Sequence, residues 1–255
     1  MVEFETNQRI ARITLNRPDK KNALSPAMVQ SLLESVQKAM DDPEVRVLVL
    51  DARGDVFSAG ADLEALQSMQ SWGEEEQRQD SLKLAALYRL LYEGPKPVVG
   101  QVQGHALAGG CGLVSVCDWV FAVPEAHFAY TEAAIGFVPA MVSVFLVRKL
   151  GEGHARPLLL HAARVDAPEA LRIGLIYKIV ERESLQNTVN EFALKLIELN
   201  SGNSLALTKR LLAKNGGASL DEAMAHAIAT NVEARQSVSC KKGVAAFLNK
   251  EPLRW

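Results

Sequence analysis

Apolar and polar positions alternate with a period of two over residues 9–16 (RIARITLN), as they do along a half-buried strand. The next run keeps a helical rhythm. Ser25 suits its N-cap, Pro26 its first helical position, and the pattern continues to Met40. Residues 45–50 (VRVLVL) form a short β-branched run, read as a buried strand. Residues 54–60 read as a loop, 74–92 carry helical periodicity, and 97–102 and 119–123 read as further strands. Such strand–helix alternation implies parallel pairing with crossover helices.

After Pro139 the rhythm turns mostly helical. The spacing predicts helices near 139–161, 167–174, 184–199, 203–214, 219–236 and 240–249, with one strand at 177–180. No internal repeat or low-complexity segment is visible. The expected architecture is an α/β core followed by a helical C-terminal part. The helices over 219–249 are rich in Ala, Ile, Val and Leu, which suits packing on the core or on another subunit.

Composition narrows the function classes. The chain has 255 residues, 48% of them hydrophobic and 23% charged, ordinary values for a globular chain able to bury a real core. A net charge of −2 gives no global field that favours nucleic acid or an anionic membrane. Cys111, Cys117 and Cys240 are odd in number and lack paired spacing, which argues against a disulfide framework or a zinc site. The N-terminus lacks a basic region followed by an apolar core, and no apolar run reaches membrane-spanning length. The expectation is a reducing, cytoplasmic setting without a membrane partner.

Three stretches could carry chemistry. Residues 104–118 (GHALAGGCGLVSVCD) crowd small residues at what reads as the start of a buried helix. Glycine inside a helix costs roughly 1 kcal/mol relative to alanine. At a helix start the first N–H groups lack internal partners, and small residues let a ligand oxygen approach them. Gly109 and Gly110 therefore suit either a backbone donor site for an oxyanion or close packing on a neighbour. Residues 56–63 (VFSAGADL) offer a second strand-to-helix turn of this kind. Two such turns, each after a parallel strand, could bring two N–H donors to one point at the carboxyl edge of a sheet. Neither is a phosphate loop or a dinucleotide fingerprint. In the third stretch, 128–139, Glu132 stands in an otherwise apolar run. It is either a buried structural carboxylate or a proton carrier whose pKa is raised by desolvation.

Taken together, FSAGADL (57–63), ALAGGCGL (106–113), Cys117-Asp118 and Thr131-Glu132 with Gly136-Phe137-Val138-Pro139 resemble the crotonase superfamily, the enoyl-CoA hydratase/isomerase proteins. NRPDKKNALS (16–25), APEALRIGLIYKIV (167–180) and AFLNK (246–250) are similar to further segments of that family, in its order. The likeness is nearest to small bacterial enoyl-CoA hydratases. It implies an acyl-CoA-binding spiral core of repeated ββα turns over 1–190, then a helical trimerisation region over 191–255. It also implies a homotrimer or a dimer of trimers, with a CoA thioester as substrate, no permanently bound cofactor and no metal.

By the same resemblance, the N–H groups of Ala61 and Gly109 would form an oxyanion hole for the thioester carbonyl, and Glu132 would move the proton. Ala59, Ala61 and Leu63 would lie along the adenine and pantetheine. Lys20 or Lys21 would meet CoA phosphates. Phe247 and Lys250 would contact CoA from a neighbouring helix or subunit. Ala23, Asp62, Leu107, Gly112, Thr131 and Ile135 complete the expected substrate-binding set, although the carboxylate of Asp62, like those of Asp118 and Glu125, reads as structural or solvated. One departure stands out. Typical hydratases carry two glutamates, and the place of the first is Gly112 here, which would leave a space facing Glu132. The resemblance leans towards hydration of a 2-enoyl-CoA. The single acid also suits Δ3,Δ2-enoyl-CoA isomerisation, and a catalytically weak acyl-CoA binder is the alternative outside catalysis. Ala140 stands where a further acid lies in some relatives, which disfavours a two-acid dienoyl isomerase.

Overall fold

The computed structural model describes residues 1–255. It opens with β1 (Val2–Asn7) and β2 (Ile10–Leu15), an antiparallel pair joined through Gln8 and Arg9, both at positive φ. The helix α1 (Pro26–Asp41) starts where the sequence placed it, with the Ser25 side chain accepting from the Met28 N–H. Its buried residues Met28, Val29, Leu32, Val36, Ala39 and Met40 recur at helical spacing.

Three ββα passages follow. The first is β3 (Val47–Ala52), β4 (Val56–Ser58) and the helices α2 (Leu63–Ser68) and α3 (Glu74–Glu93). The second is β5 (Val98–Val102), β6 (His105–Leu107) and α4 (Gly109–Val116). The third is β7 (Trp119–Ala122), β8 (His127–Ala129), a 3-10 turn (Glu132–Ile135) and α5 (Ala140–His161). Then come β9 (Val165–Asp166), α6 (Ala167–Arg172), β10 (Lys178–Ile179), α7 (Arg182–Leu199), α8 (Gly202–Asn215), α9 (Leu220–Gln236) and α10 (Val238–Asn249).

The first strand of each passage joins a six-stranded sheet, ordered β1-β2-β3-β5-β7-β10 and parallel from β2 onwards. The second strand joins a separate sheet, ordered β4-β6-β8-β9. The spiral of ββα turns is therefore present, followed by helices. The repeat lies in geometry rather than in sequence, which is why no repeat was visible along the chain. Segment 54–60, expected as a loop, contains β4, and β6 and β8 had no signal of their own. Each is three residues long, too short to show alternation, and is ordered by its neighbours' backbones: Ser58 pairs with Ala106, and Ala106 with Phe128. α5 also departs from one straight helix. It breaks at Gly151, whose φ of 72° and ψ of 163° are not helical.

One apolar core spans the first sheet and its helices, from Ile10 to Ile197. α7 packs on the sheet through Phe192, whose ring lies 5.4 Å from Trp119 and 5.0 Å from Phe121. α8 is fastened by buried Lys209, which donates to Asp118 at 2.6 Å and to the carbonyls of Leu91 and Lys96. By contrast, α9 exposes Leu220, Met224, Ile228 and Val232, one every four residues, as a stripe with no cover in the single chain. No helix is long and apolar enough to cross a membrane.

Candidate active site

β4, β6 and β8 are parallel neighbours, so the segments leaving their carboxyl ends emerge side by side. These are 59–62, 108–109 and 130–132, the three stretches that sequence chemistry singled out. Gly60, at φ 89°, lets the first two touch. A Cβ there would lie 2.6 Å from the Ala108 Cβ, 2.7 Å from the Leu107 carbonyl oxygen and 3.2 Å from the Gly109 nitrogen.

The N-terminal loop holds the first turn in place. Buried Asn22 donates from Nδ2 to the carbonyls of Arg53 and Val56, each at 2.8 Å. Its Oδ1 accepts from the Arg17 N–H, and its carbonyl accepts from the Ser58 hydroxyl. Asp62 caps α2 by accepting from the Ala65 N–H and binds the Arg17 guanidinium at 2.6 Å. That guanidinium holds the Asp62 carboxyl below the usual carboxylate range. The Asp62 side chain thus has a structural task, and the Asn22 clamp was not foreseen.

Main-chain donors are left over at both turns. The Leu24 N–H donates to the Gly60 carbonyl at 2.7 Å, and the Asp62 N–H to the Leu24 carbonyl at 3.2 Å. The N–H of Ala61, between them, has no acceptor within the chain. Gly109 begins α4, and its N–H is likewise unclaimed. The residue before it, Ala108, adopts φ 47° and ψ −122°, a strained conformation for a residue with a Cβ. Two bonds hold it: its N–H donates to Ala129 at 2.7 Å, and its carbonyl accepts from the Gly112 N–H at 3.0 Å.

Ala61 and Gly109 line one mostly apolar cavity of about 160 Å³, together with Ala59, Leu63, Thr131, Glu132 and Ile135. A second hollow of about 110 Å³ shares Ala61, Leu66, Leu84, Gly109, Phe137 and Met141 with the first and reaches Asp80 and Ser81. Glu132 opens the 3-10 turn and is only 7% exposed. Its Oε2 has no hydrogen-bond partner, and burial raises its pKa above the ordinary glutamate value. Unlike Asp51 and Asp118, which are each paired to a basic side chain, the Glu132 carboxylate forms no hydrogen bond or ion pair with another residue.

The other expected residues fall elsewhere. Lys20 is exposed and paired with Glu64 at 2.7 Å, and Lys21 is exposed beside it. Ala23 is buried in the N-terminal loop, and Leu107 does not line the cavity. Phe247 and Lys250 sit at the end of α10, exposed and away from the cavity lining of this chain. Asp118 is structural, accepting from the Val98 N–H and from Lys209. Glu125 is exposed, 3.9 Å from Arg182. No three His, Cys, Asp or Glu side chains gather as a metal-binding group.

The space expected at Gly112 is filled: a Cβ there would be 2.6 Å from the Tyr88 hydroxyl, 2.9 Å from Tyr88 Cζ and 2.8 Å from Val142 Cγ2. Tyr88, on α3, is fully buried, forms part of the cavity wall and donates its hydroxyl to the Gly109 carbonyl at 2.8 Å. Its only sequence signal is a place on the inward face of α3 with Leu87 and Leu91, where it reads as core.

Fold and cavity define an α/β protein of the ββα-spiral, crotonase-fold class, with its pocket where the second sheet's strands end. Comparison with known proteins gives the same class. A relative in Thermus thermophilus, named “Putative enoyl-CoA hydratase”, is 41% identical over 100% of both chains. A crotonyl-CoA hydratase of Syntrophomonas wolfei is 33% identical, covering 97% of this chain and 94% of its own. The crystal structure of an enoyl-CoA hydratase from Shewanella pealeana superposes with a TM-score of 0.91 at 30% identity, covering 100% of this chain and 95% of that one. The family model described as Enoyl-CoA hydratase/isomerase matches residues 5–255, and the chain belongs to that family.

Proposed function

We propose that the protein hydrates a 2-enoyl-CoA thioester, with Glu132 as its one acid–base residue. The observation that carries this reading is the unpartnered Glu132 carboxylate in the same apolar cavity as the two unclaimed amides of Ala61 and Gly109. The hydratase names of relatives at 41% and 33% identity support it.

The chemistry follows from the thioester. Attack at C3 drives an electron pair onto the carbonyl oxygen. Two fixed N–H donors stabilise that charge, each typically worth about 3–4 kcal/mol. Ionised Glu132 takes one proton from water as the water oxygen bonds to C3. It returns that proton to C2 as the enolate collapses, so water is added and Glu132 ends ionised. By the family resemblance, exposed Lys20 or Lys21 would meet the CoA phosphates, and no resident cofactor takes part.

A second reading has its own observation. Tyr88 and Val142 close the space over Gly112, so no second carboxylate can enter there. One carboxylate in an apolar chamber suits transfer of a proton from C2 to C4 of a 3-enoyl thioester. Purified protein with crotonyl-CoA tests the assignment. Loss of enone absorbance, abolished by Glu132→Gln, is the expected result. Conversion of a 3-enoyl-CoA to its conjugated isomer without hydration would replace hydration by isomerisation. Acyl-CoA binding with neither reaction would leave a binding protein.

Residues 1–190 would carry this site and 191–255 the assembly surface. The apolar stripe on α9 supports self-association, which the family resemblance makes a homotrimer or a dimer of trimers, and a mass measurement in solution checks it.

A further inference from the structure

We propose that Tyr88 is a positioning residue: its hydroxyl, bonded to the Gly109 carbonyl, locks the first turn of α4 so that the Gly109 N–H stays aimed at the reacting carbonyl. The inference rests on the thioester reading above and adds a residue to it.

The phenol lies across two glycines of one helix. A Cβ on Gly109 would be 3.3 Å from the hydroxyl oxygen, and one on Gly112 would be 2.6 Å from it. Residues three apart share a helix face, and here that face is bare so that the ring can lie on it. The hydroxyl then reaches the Gly109 carbonyl at 2.8 Å. The lock matters because the peptide just before is strained at Ala108, so the turn carrying the Gly109 N–H is held against a conformational preference. Ordinary packing needs only the ring, which Phe145 meets edge-on at 6.1 Å and which phenylalanine would supply equally well. The hydroxyl needs a reason, and its only protein partner is the Gly109 carbonyl. Burial raises the phenol pKa, so it remains a donor at all working pH values.

Tyr88→Phe is the test, read with crotonyl-CoA turnover and with the carbonyl stretch of bound butyryl-CoA labelled with ¹³C at the thioester carbon. In the parent, the bound stretch falls below its value in solution, because two donors polarise the carbonyl. In Tyr88→Phe the stretch moves back towards the solution value, and kcat falls about tenfold while KM stays within about twofold. Phe145→Leu loosens the packing behind the ring and keeps the hydroxyl, so it should lower thermal stability yet retain the stretch shift. A Tyr88→Phe protein with parental stretch and kcat overturns the proposal. So does loss of the shift in both variants, which would reduce Tyr88 to packing. If the parent itself neither binds nor polarises butyryl-CoA, the thioester reading fails first, and this proposal falls with it for a reason the parent data identify.

Discussion

Replacing Gly112 by alanine adds one methyl group at a spot with no room. Three heavy atoms would lie within 2.9 Å of it: the Tyr88 hydroxyl at 2.6 Å, Val142 Cγ2 at 2.8 Å and Tyr88 Cζ at 2.9 Å. Comfortable contact between such atoms is about 3.5 Å or more, so the phenol must retreat by roughly 0.9 Å and the valine by roughly 0.7 Å. A retreat of that size breaks the hydroxyl's bond to the Gly109 carbonyl. Overpacking costs about 1–3 kcal/mol, and the lost bond about 1 kcal/mol. The helical preference for alanine returns about 1 kcal/mol. The net expectation is a loss of about 1–3 kcal/mol, read as a lower urea midpoint at unchanged slope. Gly153 is the matched control: it lies in α5 with nothing within 4 Å of an added Cβ, so Gly153→Ala should be neutral or mildly stabilising. A Gly112→Ala protein as stable as its Gly153→Ala counterpart would show that the phenol does not fill the space over α4, and would refute the reasoning.

Glu132→Gln should lower turnover by a factor of about 10²–10⁴, the usual contribution of a positioned acid–base group, with acyl-CoA affinity nearly unchanged in a titration. The Glu132 carboxyl holds its proton more tightly folded than unfolded, so its contribution to stability is full below its ordinary value of 4.5 and is lost as pH rises through the higher folded value. Unfolding midpoints measured across that window should fall with pH in the parent relative to Glu132→Gln, whereas hydration, which needs the carboxylate, should rise with pH. Lys209→Met leaves the part-buried Asp118 carboxylate with the Val98 N–H as its remaining donor and takes the donor from the Leu91 and Lys96 carbonyls. Losing these bonds from half-buried acceptors costs about 1–3 kcal/mol, measurable by denaturant unfolding.

The chain by itself determined the elements whose signals are local. α1 is written in Ser25-Pro26 and a helical apolar stripe, β2 in a run that alternates with a period of two, and β3, β5 and β7 in short apolar runs. Chemistry was legible where a residue breaks its surroundings: glycines at a helix start, and a lone carboxylate in an apolar run. Tertiary structure alone decided the rest. The second sheet exists because three-residue strands find parallel partners from segments 22 to 49 positions apart, a pairing no local window contains. Asn22 reads as a polar loop residue until the fold brings Arg53 and Val56 to its amide. Tyr88 reads as core until α3 lays its hydroxyl over Gly109 and Gly112. Periodicity records which face of an element is buried; which atoms meet that face depends on the path of the whole backbone.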